Sequence, residues 1–124
     1  MKRSEAAEQT ALVRWAELFS GRVPELRLLY HIPNGGSRNR LEAANLKMQG
    51  VKSGVPDLCL PVASRGNHGL YIEMKYGKNR PTKNQIEWME MLKDQGYDAR
   101  VCYSAEEAAK TIIDYLGIQD KVRW

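Results

Sequence analysis

Three side chains suited to handling a phosphate ester, Asp57, Glu73 and Lys75, lie close together in the middle of the chain. Two carboxylates are hard oxygen ligands for a magnesium-type ion, which keeps several waters and also meets phosphate oxygens. Such an ion lowers the pKa of a bound water and offsets charge on a transition-state phosphorane. A lysine two residues after Glu73 points the same way along an extended chain. It can orient that water or stabilise developing negative charge. A solvated surface hairpin with an ordinary Glu–Lys ion pair would use the same residue types. Val55, Cys59 and Tyr71, on the same face, argue against full exposure.

Two strand-like stretches position these groups. Residues 54–62 place Leu58, Leu60 and Val62 on one face, and residues 69–76 place Leu70, Ile72 and Met74 on one face. The intervening segment, 63–69, has the composition of a hairpin loop. Antiparallel pairing that buries both apolar sets fixes the register parity, because a slip of one residue turns one set outward. Asp57, Glu73 and Lys75 then gather on the opposite face.

The flanking segments supply the rest of the architecture. Residues 4–20 read as a helix with Leu12, Ala16 and Phe19 inward, widened by Val13 and Trp15. Continuing that stripe back one turn reaches Glu8, the candidate acid from this helix. The helix dipole alone favours an acid in the first turn, for Glu5 as for Glu8. Residues 26–32 read as a largely buried strand, with His31 a structural histidine. The turn that follows, Pro33 to Arg38, offers Asn34, Ser37 and Arg38 to a phosphate. Residues 40–49 read as a short helix with Leu41, Ala44, Leu46 and Met48 as its apolar positions. Thr82 and Gln85 have capping-box spacing ahead of a helix that buries Ile86, Met89 and Leu92 with Trp88. Gln85 also follows the Glu-x-Lys strand closely enough to hold a water or phosphate oxygen. Residues 99–103 read as a strand. A second capping box at Ser104 and Glu107 opens a last helix with Ala108, Ile112, Ile113 and Leu116 inward. The order implies one α/β domain over residues 1–124, with a central mixed β-sheet flanked by helices.

The 124 residues carry a formal charge of +4, a mild basic bias compatible with nucleic acid. Its placement is more telling. Arg38, Arg40, Lys47 and Lys52 precede the hairpin, Arg65 sits in its loop, and Lys78, Arg80 and Lys83 follow it. No apolar run approaches a membrane span. Cys59 and Cys102, both in apolar strand-like contexts, read as a reduced buried pair rather than a disulfide or zinc site. The expected location is therefore the cytoplasm.

Taken together, Ile32-Pro33-Asn34-Gly35-Gly36, Gly54-Val55-Pro56-Asp57-Leu58, Ile72-Glu73-Met74-Lys75, Gln85 after a basic loop, and Gly96-Tyr97 resemble the VRR-NUC domains. These are the virus-type replication-repair branch of the PD-(D/E)xK nucleases, and the likeness is to their small stand-alone form. The resemblance implies a restriction-endonuclease-like core and Mg2+- or Mn2+-dependent hydrolysis of DNA phosphodiester bonds. By matching motif positions, it implies Asp57 and Glu73 as metal ligands, Lys75 as catalytic lysine and Gln85 as a supporting polar residue. Glu8 matches the helix-borne glutamate best, with Glu5 close by, and Met74 would add its backbone carbonyl to the metal. Stand-alone members look like homodimeric resolvases of four-way (Holliday) junctions, which implies branched DNA and a second copy of the chain as partners. A DNA-binding module that positions a partner enzyme without cutting would need only the basic loops. A small-molecule phosphohydrolase would keep the carboxylates and have little use for those loops.

Overall fold

The computed structural model describes residues 3–33 and 39–124. Helix α1 (Glu5–Phe19) begins at Ser4, whose side chain accepts the Ala7 amide. A 3-10 turn (Pro24–Leu28) leads to strand β1 (Tyr30–His31). Helix α2 (Arg40–Met48), strand β2 (Leu58–Leu60) and strand β3 (Leu70–Met74) follow. Helix α3 (Lys83–Asp94), strand β4 (Asp98–Cys102) and helix α4 (Ala105–Leu116) complete the chain. The strands form one sheet in the order β1-β2-β3-β4. Pairing is antiparallel for β1–β2 and β2–β3 and parallel for β3–β4, so the sheet is mixed.

The central register is the one the alternation demands. Leu58 pairs with Ile72, Cys59 with Tyr71 and Leu60 with Leu70. Leu58, Leu60, Leu70, Ile72 and Met74 are at most 1% exposed and form one core with Leu12, Trp15 and Ala16 of α1 and Ala108, Ala109 and Ile112 of α4. Each buried Leu or Ile contributes roughly 1.5–3 kcal/mol by leaving water. Helix α3 packs against β4, and its buried Met89 lies outside that cluster, as do Cys59 and Ala99 of the opposite sheet face.

Several sequence expectations need correction. The buried strand expected over 26–32 is a 3-10 turn followed by two strand residues. Pro24, with φ preset for a helical turn, starts it. Leu26 enters the core and Leu29 packs against it, while Leu28 and Tyr30 are half exposed. Strand β2 is shorter than expected because Pro56 and Pro61, which lack an N–H for the ladder, bracket it. Helix α2 forms from its Asn39 cap yet buries no residue, leaving Leu41 and Met48 in solvent. On α3, Ile86 is 43% exposed rather than buried. The capping box at Thr82 and Gln85 is complete. The one expected at Ser104 is half made: Ser104 accepts the Glu107 amide, but the Glu107 carboxylate takes the Tyr103 amide instead of the Ser104 one. Both cysteines are buried and free.

Candidate active site

The sheet positions the site through one exchange of hydrogen bonds. Ahead of β2, the Asp57 carbonyl accepts from Ile32 N–H at 2.7 Å and from His31 Nδ1 at 2.8 Å. The backbone of Asp57 is thereby tied to β1, and His31, read as structural, holds it. The Asp57 side chain turns to β3, where its Oδ2 accepts the Met74 amide at 2.8 Å in a buried contact. A residue's N–H and C=O point to the same edge of a strand, so the Met74 carbonyl also faces the Asp57 side. Gly54 (φ +90°) and the buried Pro56 shape the entry into β2.

Glu73 and Lys75 occupy the next two outward positions of β3. Lys75 Nζ lies 3.4 Å from Glu73 Oε2, and Asp57, Glu73 and Lys75 are all under 10% exposed. The Lys75 amide extends the parallel ladder by donating to the Cys102 carbonyl at 2.9 Å. Glu73 Oε1 is buried without a hydrogen-bond partner among the described residues, which is costly for a carboxylate in a dry setting. Burial first, and then the neighbouring Asp57 charge, push the Glu73 carboxyl from 4.5 up to about 7; Lys75 opposes this and Glu5 adds to it.

Glu5 therefore belongs to the electrostatics of this patch. Its own carboxyl is raised by burial and by Asp57 and lowered by Lys75. Glu8, the residue favoured from the helical stripe, makes its contacts with α4 and Arg3. Its Oε1 accepts the Ala105 amide at 3.1 Å, at the start of α4, and its Oε2 lies 3.6 Å from Arg3 Nε. The carboxylate thus takes one further amide of a helix N-terminus that Ser104 already caps. Gln85 spends its side-chain oxygen on the Thr82 amide at 2.9 Å, so only its amide nitrogen is left to face a ligand.

Asn34, Ser37 and Arg38 lie outside the described residues. Arg40, Lys47 and Lys52 are exposed on α2 and the segment after it, and Lys78, Arg80 and Lys83 are exposed between β3 and the start of α3. Arg65 does not join them. It sits in the hairpin turn with its Nη1 3.8 Å from Asp114 on α4. That end of β3 is a strand length, roughly 15 Å, from the carboxylates. Arg3 was not singled out in the sequence and reaches over the Tyr76 ring, 5.6 Å to its centroid, beside Lys75. Its position before the helix gave no periodic signal.

Among the described residues no three His, Cys, Asp or Glu side chains gather into a metal-binding cluster. Two carboxylates and a backbone carbonyl are nonetheless the sparse oxygen set that suits a cation retaining most of its waters. The unpartnered Glu73 oxygen fits such a cation directly.

The VRR-NUC domain family model matches residues 3–106. The chain belongs to the VRR-NUC family. A solved structure described as a VRR_NUC domain protein is similar to it at 34% identity and a TM-score of 0.79, covering 95% of this chain and 92% of that one. No curated protein matches. The VRR-NUC domain is a nuclease domain, which makes this a DNA-acting hydrolase, and its mixed sheet flanked by helices is the fold expected of that family. None of the described helices is long and apolar enough to cross a membrane.

Proposed function

We propose that the protein is a metal-dependent endonuclease that cuts DNA at a branch, with Asp57, Glu73 and the Met74 carbonyl holding Mg2+ or Mn2+. The observation that carries this reading is the buried, unpartnered oxygen of Glu73 beside a second carboxylate. When bound, the cation would supply an activated water and charge neutralisation at the scissile phosphate. The protein's own part is positional. Asp57 is held from both sides, by Ile32 and His31 at its carbonyl and by Met74 at its carboxylate. Lys75 is held on the same face by Glu73 and stands ready to orient a water or meet charge on the phosphate. Glu5 is the helix-borne acid of the site, since its carboxyl lies in the field of Asp57 and Lys75. Gln85 offers an amide N–H from the first turn of α3.

Branched DNA as substrate and a homodimer as acting form rest on the likeness to stand-alone VRR-NUC domains. The basic residues around the carboxylate end of the sheet suit a phosphate backbone. The deciding experiment offers a four-way junction, a duplex and a single strand to the protein, with Mg2+ and with a chelator. Cleavage of the junction should need the ion and disappear in Asp57→Asn. Cutting that survives chelation or the substitution would overturn the reading. Salt-sensitive binding without cleavage would favour the positioning module instead.

A further inference from the structure

Helix α2 buries no residue, so its place in the fold is not explained by the core. It does wall a cleft of about 550 Å³ against α3. Lys47 and Lys52 stand on one side, Asn84 and Trp88 on the other, and Ser53 lies between; none of the described lining residues is acidic. The volume is within the usual range for a small organic ligand.

We propose that this cleft holds one unstacked nucleotide of a DNA strand, its base against the Trp88 ring and its phosphates on Lys47 and Lys52. The proposal rests on the DNA-acting reading of the active site. Two tryptophans show why the ring matters. Trp15 is 6% exposed and donates its indole N–H to the Arg123 carbonyl at 2.8 Å, as a core tryptophan does. Trp88 stays partly open to the cleft, and its indole N–H makes no hydrogen bond among the described residues. An open ring beside paired lysines is the combination that binds unpaired bases, because every base has a stacking face and each carries a phosphate. The ring lies recessed between two elements, where a base still inside a duplex cannot reach.

The cleft is also tied firmly to the segment that leads into Asp57. Asn84 Nδ2 donates to the Ser53 carbonyl at 3.1 Å and lies 3.2 Å from the Ser53 hydroxyl. At Gly54 (φ +90°) a Cβ would meet Asn84 Nδ2 at 2.5 Å and Trp88 Cδ1 at 2.8 Å, so loop and helix are in close contact. Asp57 follows Gly54 closely. A nucleotide seated here is thus at a fixed offset from the carboxylates, which would select strands that leave the duplex at that distance.

The test titrates the full chain, in chelator, with a blunt duplex and with the same duplex carrying a short unpaired thymidine tail. Anisotropy reads binding and tryptophan fluorescence reads stacking. The tailed DNA should bind about ten-fold tighter or more and quench the fluorescence, the blunt DNA neither. Trp88→Phe should remove the quench. Lys47→Glu with Lys52→Glu should abolish the tail preference and lower the salt slope by about 2. Because Trp88 touches Gly54, the lysine pair, both exposed, keeps the proposal testable if the tryptophan variant unfolds. A quench that persists in Trp88→Phe, or a tail preference indifferent to the lysines, overturns the proposal. Duplex binding with neither quench nor tail preference overturns the cleft alone, and no binding to any DNA overturns the DNA reading with it.

Discussion

The two faces of β3 are built from alternate residues of one ribbon and do opposite things. Leu70, Ile72 and Met74 point into the cluster with α1 and α4 and are at most 1% exposed. Glu73 and Lys75 point the other way and are nearly as buried, 2% and 9% exposed. On the first face burial stabilises, since only apolar surface leaves water. On the second it opposes folding, because a carboxylate loses its hydration and Glu73 Oε1 receives nothing in return. Strain of this kind is what functional sites store and the rest of the molecule offsets. The strand is therefore a device for holding a poor electrostatic arrangement rigidly, using the good packing directly behind it.

Neighbouring substitutions can break that comparison. Ile72→Ala should lower stability by about 2–5 kcal/mol, the range for emptying a large core side chain. Cleavage should persist at temperatures where the variant remains folded, measured by denaturant melts alongside junction cutting. Glu73→Gln, one residue on, should do the reverse. The fold should be no less stable, while cleavage falls by about 100-fold or more, as when one preorganised charge is removed from a reacting centre. Equal loss of stability in both variants would show that the second face is structural after all.

A pH series sharpens the same contrast. The Glu73 carboxyl is raised from 4.5 in the unfolded chain to about 7 in the fold, by burial and then by Asp57. A raised folded value means that the protonated form is the one the fold favours. Its contribution is complete below pH 4.5 and is lost as pH climbs through 7. With the protein in chelator, the melting temperature should fall between pH 5 and pH 8. The slope should flatten in Glu73→Gln, and Mg2+ should raise the melting temperature most at the alkaline end, where the Glu73 carboxyl is ionised. A melting temperature that climbs over this range in chelator would contradict the burial argument.

Much of this face was legible in the sequence because alternation has a period of two and admits only one register once both apolar sets must be buried. That constraint alone puts Asp57, Glu73 and Lys75 together on one face. Elements without such a constraint were misread. Residues 26–32 are apolar enough for a strand, but nothing in their pattern tells a short bridge after a 3-10 turn from a full ladder, and Pro24 chose the former. Helix α2 has spaced apolar positions and a good cap, yet periodicity reports a face and not whether anything covers it. Glu107 has the right spacing for a capping box, but its carboxylate found the Tyr103 amide one residue earlier. Arg65 is near the site in sequence and a strand length away in space. Charge patterns along a chain carry no information about which end of a hairpin they occupy.

The smallest effect separates the two acids of α1, of which the stripe favours Glu8 while Glu5 lies in the field of Asp57 and Lys75. Glu5 and Glu8 are one turn apart at the start of α1. Glu8 is committed to the Ala105 amide, a capping contact. Glu8→Gln, which keeps an oxygen acceptor, should therefore reduce stability by about 0.5–1 kcal/mol through the lost charge at a helix N-terminus, and leave the cleavage rate of folded protein unchanged. Glu5 has its charge in the field of Asp57 and Lys75. Glu5→Gln should leave the melting temperature unchanged or slightly higher and lower cleavage by about ten-fold, with the deficit largest at limiting Mg2+. If instead Glu8→Gln lowers cleavage and Glu5→Gln does not, α1 must shift when DNA and metal bind, and the link from Glu8 to α4 would be the contact that breaks.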